Sequence, residues 1–409
     1  MSLSTYLTGI ADAIREKKET TEKINAQDFA DEIRNLSSVS GNITITTNGT
    51  HDVAGYAEAY VNVPVPDGYI KPSGTRTITE NGIHDVNTWA SAKVNVPDTL
   101  YDYENAYISS IGTNAFYNFK GLKSVNCPNI TSIGSSAFSG CSNLKSITIP
   151  DKVTSIDSSV FNNCSSLTNV TIPDSVTSIG SSAFSGCSNL RSITIPDSVT
   201  SIGSSVFRDC KKLENITIPD GITSINSYTF YGCSELRSIT IPDSLTSIDI
   251  NAFRDCKSLR HIYITDITAW LNISGLNYIT GNGASSVVYY LNNEAIEELV
   301  IPDTVASICD SAFRDSSSIK NVIINNNTIS IGEGAFYRCW ALSDITIPDS
   351  VTSIGDYAFY NCPALTNINY SGTKAQWNAI AFGAEWDSNT GDYTIICSDG
   401  TIFKDGTET

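Results

Sequence analysis

GSSAFSGCSNLKSITIPD, from Gly134 to Asp151, returns as Gly180 to Asp197 with one change, Lys145 becoming Arg191. The same frame runs along the chain. Phe138, Phe161, Phe184, Phe207, Phe230 and Phe253 stand 23 residues apart, and after a break so do Phe313, Phe336 and Phe359; Phe116 precedes Phe138 by 22. Self-similarity at a fixed period of this length marks a repeat architecture. Three positions after Phe comes Cys141, Cys164, Cys187, Cys210, Cys233, Cys256, Cys339 or Cys362, with Phe119 and Ser316 in that place in two coils. Six positions after Phe comes Leu or Ile.

Between these markers lie a short alternating stretch such as Ser146-Ile147-Thr148-Ile149, a Pro-Asp turn, and a second stretch such as Val176-Thr177-Ser178-Ile179. Alternation sends Ile147 and Ile149 to one face of a strand and Ser146 and Thr148 to the other. Each coil therefore offers Leu, two Ile, Val, Ile, Phe and Cys to an interior that a single coil is too small to close. Neighbours must stack and share one core, which predicts a repeat solenoid with parallel β-sheet. At about 4.8 Å per strand, nine or ten coils span roughly 45 Å.

The pattern Leu-x-x-Ile-x-Ile-Pro-Asp-x-Val-x-x-Ile-Gly-x-x-Ala-Phe-x-x-Cys resembles the BspA-like class of leucine-rich repeat proteins, over about Tyr101 to Tyr370. That resemblance implies a curved, right-handed solenoid with a parallel sheet on its inner face. It also implies a binding or adhesion role at a bacterial cell surface rather than an enzyme.

Two regions leave the pattern. Within the gap between Phe253 and Phe313, "DITAWLNIS" and "SVVYYLNNEAIEELVIPD" echo the C-terminal "GTKAQWNAI" and "DYTIICSDGTI". The solenoid is accordingly expected over 99–370, with a variant insert at 265–300 and a cap at 371–409. Ahead of it, "ITTNGTHDVAGYAEAYVNVP" from Ile45 and "ITENGIHDVNTWASAKVNVP" from Ile78 carry Asn-Gly hairpin signals, giving two small β modules within 42–98. Over 1–36, apolar stripes at Leu3, Leu7, Ile10 and Ile14 and at Phe29, Ile33 and Leu36 predict a helical hairpin. This front end resembles tail and tail-fibre proteins of gut bacteriophages and prophages. By that resemblance residues 1–98 would bind other virion proteins or a second copy of the chain, and the solenoid would be displayed outward in a virion.

The charge narrows the partners. A formal net charge of −18 disfavours a nucleic-acid partner. It is concentrated at one end: Thr131 to Ile262 holds 11 acidic and 10 basic residues, and Asn292 to Thr409 holds 16 and 5. No run is apolar enough for membrane insertion, and the start lacks a secretory layout, so synthesis in a bacterial cytoplasm is expected. No catalytic residue is assigned: Gly-x-Ser-x-Gly, phosphate loops and Cys-x-x-Cys are missing, and the chain holds only 3 His. No cofactor or metal is expected. His51 and His84, each followed by Asp, are read as repeat identity. The cysteine ladder is read as packing, because free buried Cys behaves as a small hydrophobe.

Thr148, Thr171, Thr194, Thr217 and Thr240 form an outward file that stops at His261 and Tyr263. Beyond residue 269 lie four of the 5 Trp. The candidate binding residues are therefore His261, Tyr263, Trp270, Tyr337, Trp340, Trp377 and Trp386, read as exposed anchors for a host surface protein or glycan. The two functional readings are a phage receptor-binding component and, as its alternative, a bacterial surface adhesin.

Overall fold

The computed structural model describes residues 101–104, 109–280 and 286–409. The helical hairpin of 1–36, the β modules of 42–98, and His51 and His84 lie outside the described residues.

Each coil has three walls: a front strand, a side strand and a ridge carrying the Phe. Front strands pair in parallel, as in Ser146↔Asn169, Ile147↔Val170 and Thr148↔Thr171. Side strands do the same one wall further on, Ser155↔Ser178↔Ser201. The alternation acts as expected, with Ser146 and Thr148 exposed and Ile147 buried. Ser192 to Thr194 keeps that alternation without joining a ladder. The array holds about 12 coils rather than nine or ten, because both variant stretches also contribute parallel front strands: Val288–Leu291 pairs with His261–Ile264, and Thr394–Cys397 with Asn367–Tyr370.

The ridge is hydrogen-bonded from coil to coil. The Ser136, Phe138 and Gly140 N–H groups donate to the Ser158, Val160 and Asn162 carbonyls at 2.9, 2.9 and 2.7 Å. This needs a left-handed residue two places either side of each Phe. Asn114, Ser136, Ser159, Ser182 and Ser205 supply the first, and Asn118, Gly140, Asn163, Gly186 and Asp209 the second, all with φ between 56° and 78°. Asn, Asp and Gly enter that region at the least steric cost, which is why the second place is restricted to them through most of the array. Inside the ridge the Phe rings stack from Phe116 to Phe253 at centroid distances of 5.1–5.8 Å. Cutting one fully buried ring back to Ala costs about 3–5 kcal/mol.

The cysteines do more than fill space. Each of the eight ladder thiols donates to the carbonyl of the preceding coil's Phe at 3.0–3.2 Å, as Cys187 does to Phe161. The exceptions follow from this. Ser316 opens the first regular coil after the break, where no preceding Phe carbonyl is presented, and its hydroxyl instead accepts the Ile319 N–H. Phe119 stands at the first described ridge. All 11 cysteines are free thiols, and burial pushes the Cys141 thiol up to about 12.

The two variant stretches share one architecture. In the first, the front strand His261–Ile264 leads to the helix Ile267–Leu271, capped by the Asp266 carboxylate, and then to a hairpin of Val288–Leu291 with Glu294–Ala295. In the second, Asn367–Tyr370 leads to the helix Lys374–Trp377, closed by a Thr373/Gln376 capping box, and a hairpin of Thr394–Cys397 with Gly400–Phe403. An antiparallel hairpin consumes the open edge of a parallel sheet. The front sheet accordingly ends twice, once within the chain and once at its C-terminal side.

Candidate functional site

The structure separates the seven candidate residues into three groups. Trp270 and Trp377 are buried, at 1% and 3% exposure, and are corrected from surface anchors to core. The reason lies in the broken ridge. The Ala312 carbonyl is the acceptor that a preceding Phe N–H would satisfy, and the variant stretch provides no such Phe. Trp270 Nε1 donates to it at 2.9 Å, and Tyr289 Oη donates to the next ridge acceptor, the Arg314 carbonyl, at 3.0 Å. Two side chains thus replace two backbone donors. Trp377 packs edge-on to Tyr370 at 5.2 Å. Trp386 is half-buried against Phe382 at 4.7 Å, and its main-chain carbonyl accepts the Phe359 N–H at 2.7 Å, so it too belongs to the C-terminal packing.

His261 and Tyr263 lie side by side on the outward front face, at the register positions of Ser238 and Thr240. Tyr290 of the next strand stacks on Tyr263 at 4.4 Å, and its hydroxyl meets His261 Nδ1 at 3.2 Å. Three half-buried rings thus stand where the earlier coils carry hydroxyls. Tyr290 belongs to the wider run of aromatics that the sequence shows beyond His261, though not to the seven anchors.

Tyr337 and Trp340 lie on a different wall, the ridge. The place after each Phe stacks down the array, so Arg314, Tyr337 and Tyr360 form a column: the Arg314 guanidinium sits 4.2 Å from the Tyr337 ring centroid, and Tyr337 stacks on Tyr360 at 5.1 Å. Arg338 lies 5.4 Å over Trp340, which is 38% exposed. Between the arginines sits Asp315, 2% exposed, with Oδ2 3.5 Å from Arg314 Nε and Oδ1 3.4 Å from Arg338 Nε. These are ion pairs without hydrogen-bond geometry, since Arg314 Nε and Asp315 Oδ1 have no hydrogen-bond partner among the described residues. Burial raises the Asp315 carboxyl above its ordinary 3.8, against the pull of both arginines. The sequence signal for Arg314 and Tyr360 was present in the 23-residue column.

An open groove of about 480 Å³ crosses the side strands of the last coils, lined by Ser307, Cys309, Asp310, Ser330, Glu333 and Ser353 among others. None of the seven candidates lines it. Among the described residues no cluster of His, Cys, Asp and Glu is arranged to hold a metal, and no helix is long and apolar enough to cross a membrane.

The chain matches the model of the BspA type leucine-rich repeat region in 6 copies, over residues 102–213, 155–274 and 287–391. No curated protein matches it. Similar solved structures include a leucine-rich repeat protein from Bacteroides ovatus, 22% identical, covering 85% of this chain and 100% of that one at a TM-score of 0.42. A leucine rich cell surface protein from Faecalibacterium prausnitzii is 27% identical, covering 78% and 98% at 0.34. The pneumococcal vaccine antigen PcpA is 18% identical, covering 86% and 89% at 0.34. With the repeat model matched over more than half of its length, the chain belongs to the BspA-type leucine-rich repeat family.

Proposed function

We propose that the chain is a non-enzymatic binding protein of a bacterial cell surface that adheres to a host protein or glycan through exposed rings on its solenoid. The observation that carries this reading is the Tyr263–Tyr290 stack beside His261 on the outward front face. Rings there fill no core, and paired aromatic faces held by their neighbours are pre-organised for contact. Family membership supports a binding scaffold. The tail-fibre reading rests on residues 1–98, outside the described residues, and no comparison supports it, so the surface alternative takes first place.

Adhesion of the purified chain to whole host cells tests the proposal. The double change Tyr263→Ala and Tyr290→Ala is expected to reduce adhesion several-fold with an unaltered unfolding midpoint. Undiminished adhesion removes the front cluster as the contact.

A further inference from the structure

We propose that the ridge cluster of Arg314, Asp315, Tyr337, Arg338, Trp340 and Tyr360 is a binding site for a carboxylated sugar. This names a ligand class for the adhesion role above and rests on that reading.

Three observations converge on it. First, the residues are costly to place. Arg338 has φ 58° at the place that other described coils give to Gly, Asn or Asp, and Tyr357, beside Tyr360, has φ 56° at a place that the other described coils give to Ser, Asn or Gly except at Tyr228, itself beside an arginine on the ridge. A bulky residue is disfavoured in the left-handed region, and neither side chain enters the core. Strain maintained at the surface without a packing return points to function.

Second, the charges do not cancel. One buried carboxylate faces two arginines, each of which meets it through Nε. Among the described residues the terminal guanidinium nitrogens make no hydrogen bond. The cluster therefore keeps one positive charge and two sets of planar donors suited to a carboxylate. Asp315 and the stacking rings fix where those donors lie. The Arg208 cluster on the same ridge, with Tyr228 and Tyr231, differs: one arginine pairs with one half-exposed aspartate, and its charge closes to zero.

Third, the shape and surroundings select among anions. The ridge is open, so a ligand must be held by a flat face and a few polar bonds rather than by enclosure; a pyranose ring on Trp340 or Tyr360 meets that requirement. The surrounding stretch, Asn292 to Thr409, has 16 acidic and 5 basic residues. Such a field repels polyanions and favours a ligand carrying a single negative charge beside a neutral ring.

The test titrates the full chain by saturation-transfer NMR and calorimetry with two matched pairs: sialyllactose against lactose, and methyl glucuronide against methyl glucoside. At least one acidic member is expected to bind roughly tenfold or more tighter than its neutral partner. Arg338→Gln and, separately, Trp340→Ala are each expected to lower that affinity by a similar factor, whereas Tyr263→Ala leaves it unchanged. Unfolding midpoints confirm that the variants fold, and Tyr360→Ala replaces any that does not. Equal binding within both pairs, or acidic binding indifferent to Arg338→Gln and Trp340→Ala, overturns the proposal. If the sugars fail while host-cell adhesion still depends on Tyr263 and Tyr290, the ligand class is wrong and the binding role stands. Adhesion insensitive to both clusters overturns the role itself.

Discussion

Trp270 donates its indole N–H to the carbonyl of Ala312, 42 residues further along the chain, at 2.9 Å. That bond joins the two parts of the solenoid across the break in its ridge. Trp270→Phe keeps most of the packing and removes the donor, leaving the Ala312 carbonyl without one among the described residues. A buried polar group stripped of its partner costs about 1–3 kcal/mol. Denaturant unfolding is expected to show that loss, and a variant as stable as the parent would refute the bridging role.

A second prediction concerns the thiols. Ten of the 11 cysteines are buried and Cys309 alone is half-exposed. Burial pushes the Cys141 and Cys309 thiols up to about 12, so little thiolate exists at pH 8. Native alkylation followed by intact mass is expected to add at most one label, at Cys309, and denatured alkylation 11. Rapid labelling of a ladder cysteine in the native protein would contradict the thiol-to-carbonyl bonds.

Stability and recognition should trade against each other at Tyr357. Its φ of 56° belongs to a place that Asn114 and Asn251 occupy in other coils. Tyr357→Asn is expected to stabilise the protein by about 1 kcal/mol and to weaken acidic-sugar binding, since Tyr357 braces Tyr360 edge-on at 5.7 Å. Thermal unfolding and the sugar titration read the two effects separately.

The buried carboxylate gives a signed pH effect. Asp315 has its folded pKa raised above 3.8 by burial, so the fold penalises the ionised form. That penalty is absent below 3.8 and complete above the raised value, and this group's contribution to stability falls as pH rises between them. Asp315→Asn removes the dependence, and Asn361 shows that Asn fits the same left-handed place. The stability of the parent relative to the variant is therefore expected to be higher at pH 3.5 than at pH 7. An invariant difference would show that the arginines fully offset burial.

The period made the coil legible: Phe, Cys, Leu and the Ile pair announce the interior because a strand that alternates must send them there. The sequence could not show what Trp270 and Trp377 do. An aromatic outside the repeat pattern looks like an exposed anchor, yet Trp270 is drawn inward by an acceptor 42 residues on that lacks its usual Phe N–H donor, and Trp377 by the rings of Tyr370 and Phe382. Tyr337 and Trp340 are legible by type, and Arg338 is a sequence neighbour of Trp340, yet the Arg314 that covers Tyr337 comes from the stacking of columns, 23 residues away. The thiol bond to the preceding coil was hidden for the same reason, though Ser316 marked the place where it is absent.

The helix-and-hairpin unit that finishes the sheet at the C-terminal side also occurs in the middle of the array. A protease cut or premature stop just after Glu297 would therefore leave a front sheet already closed by its own hairpin, while depriving Trp270 and Tyr289 of the acceptors that hold them at Ala312 and Arg314. Such a fragment would keep the Tyr263–Tyr290 face and lose the arginine ridge. Limited proteolysis there would thus separate the two proposed contact surfaces, and it would do so by severing the two side-chain bonds that bridge the break.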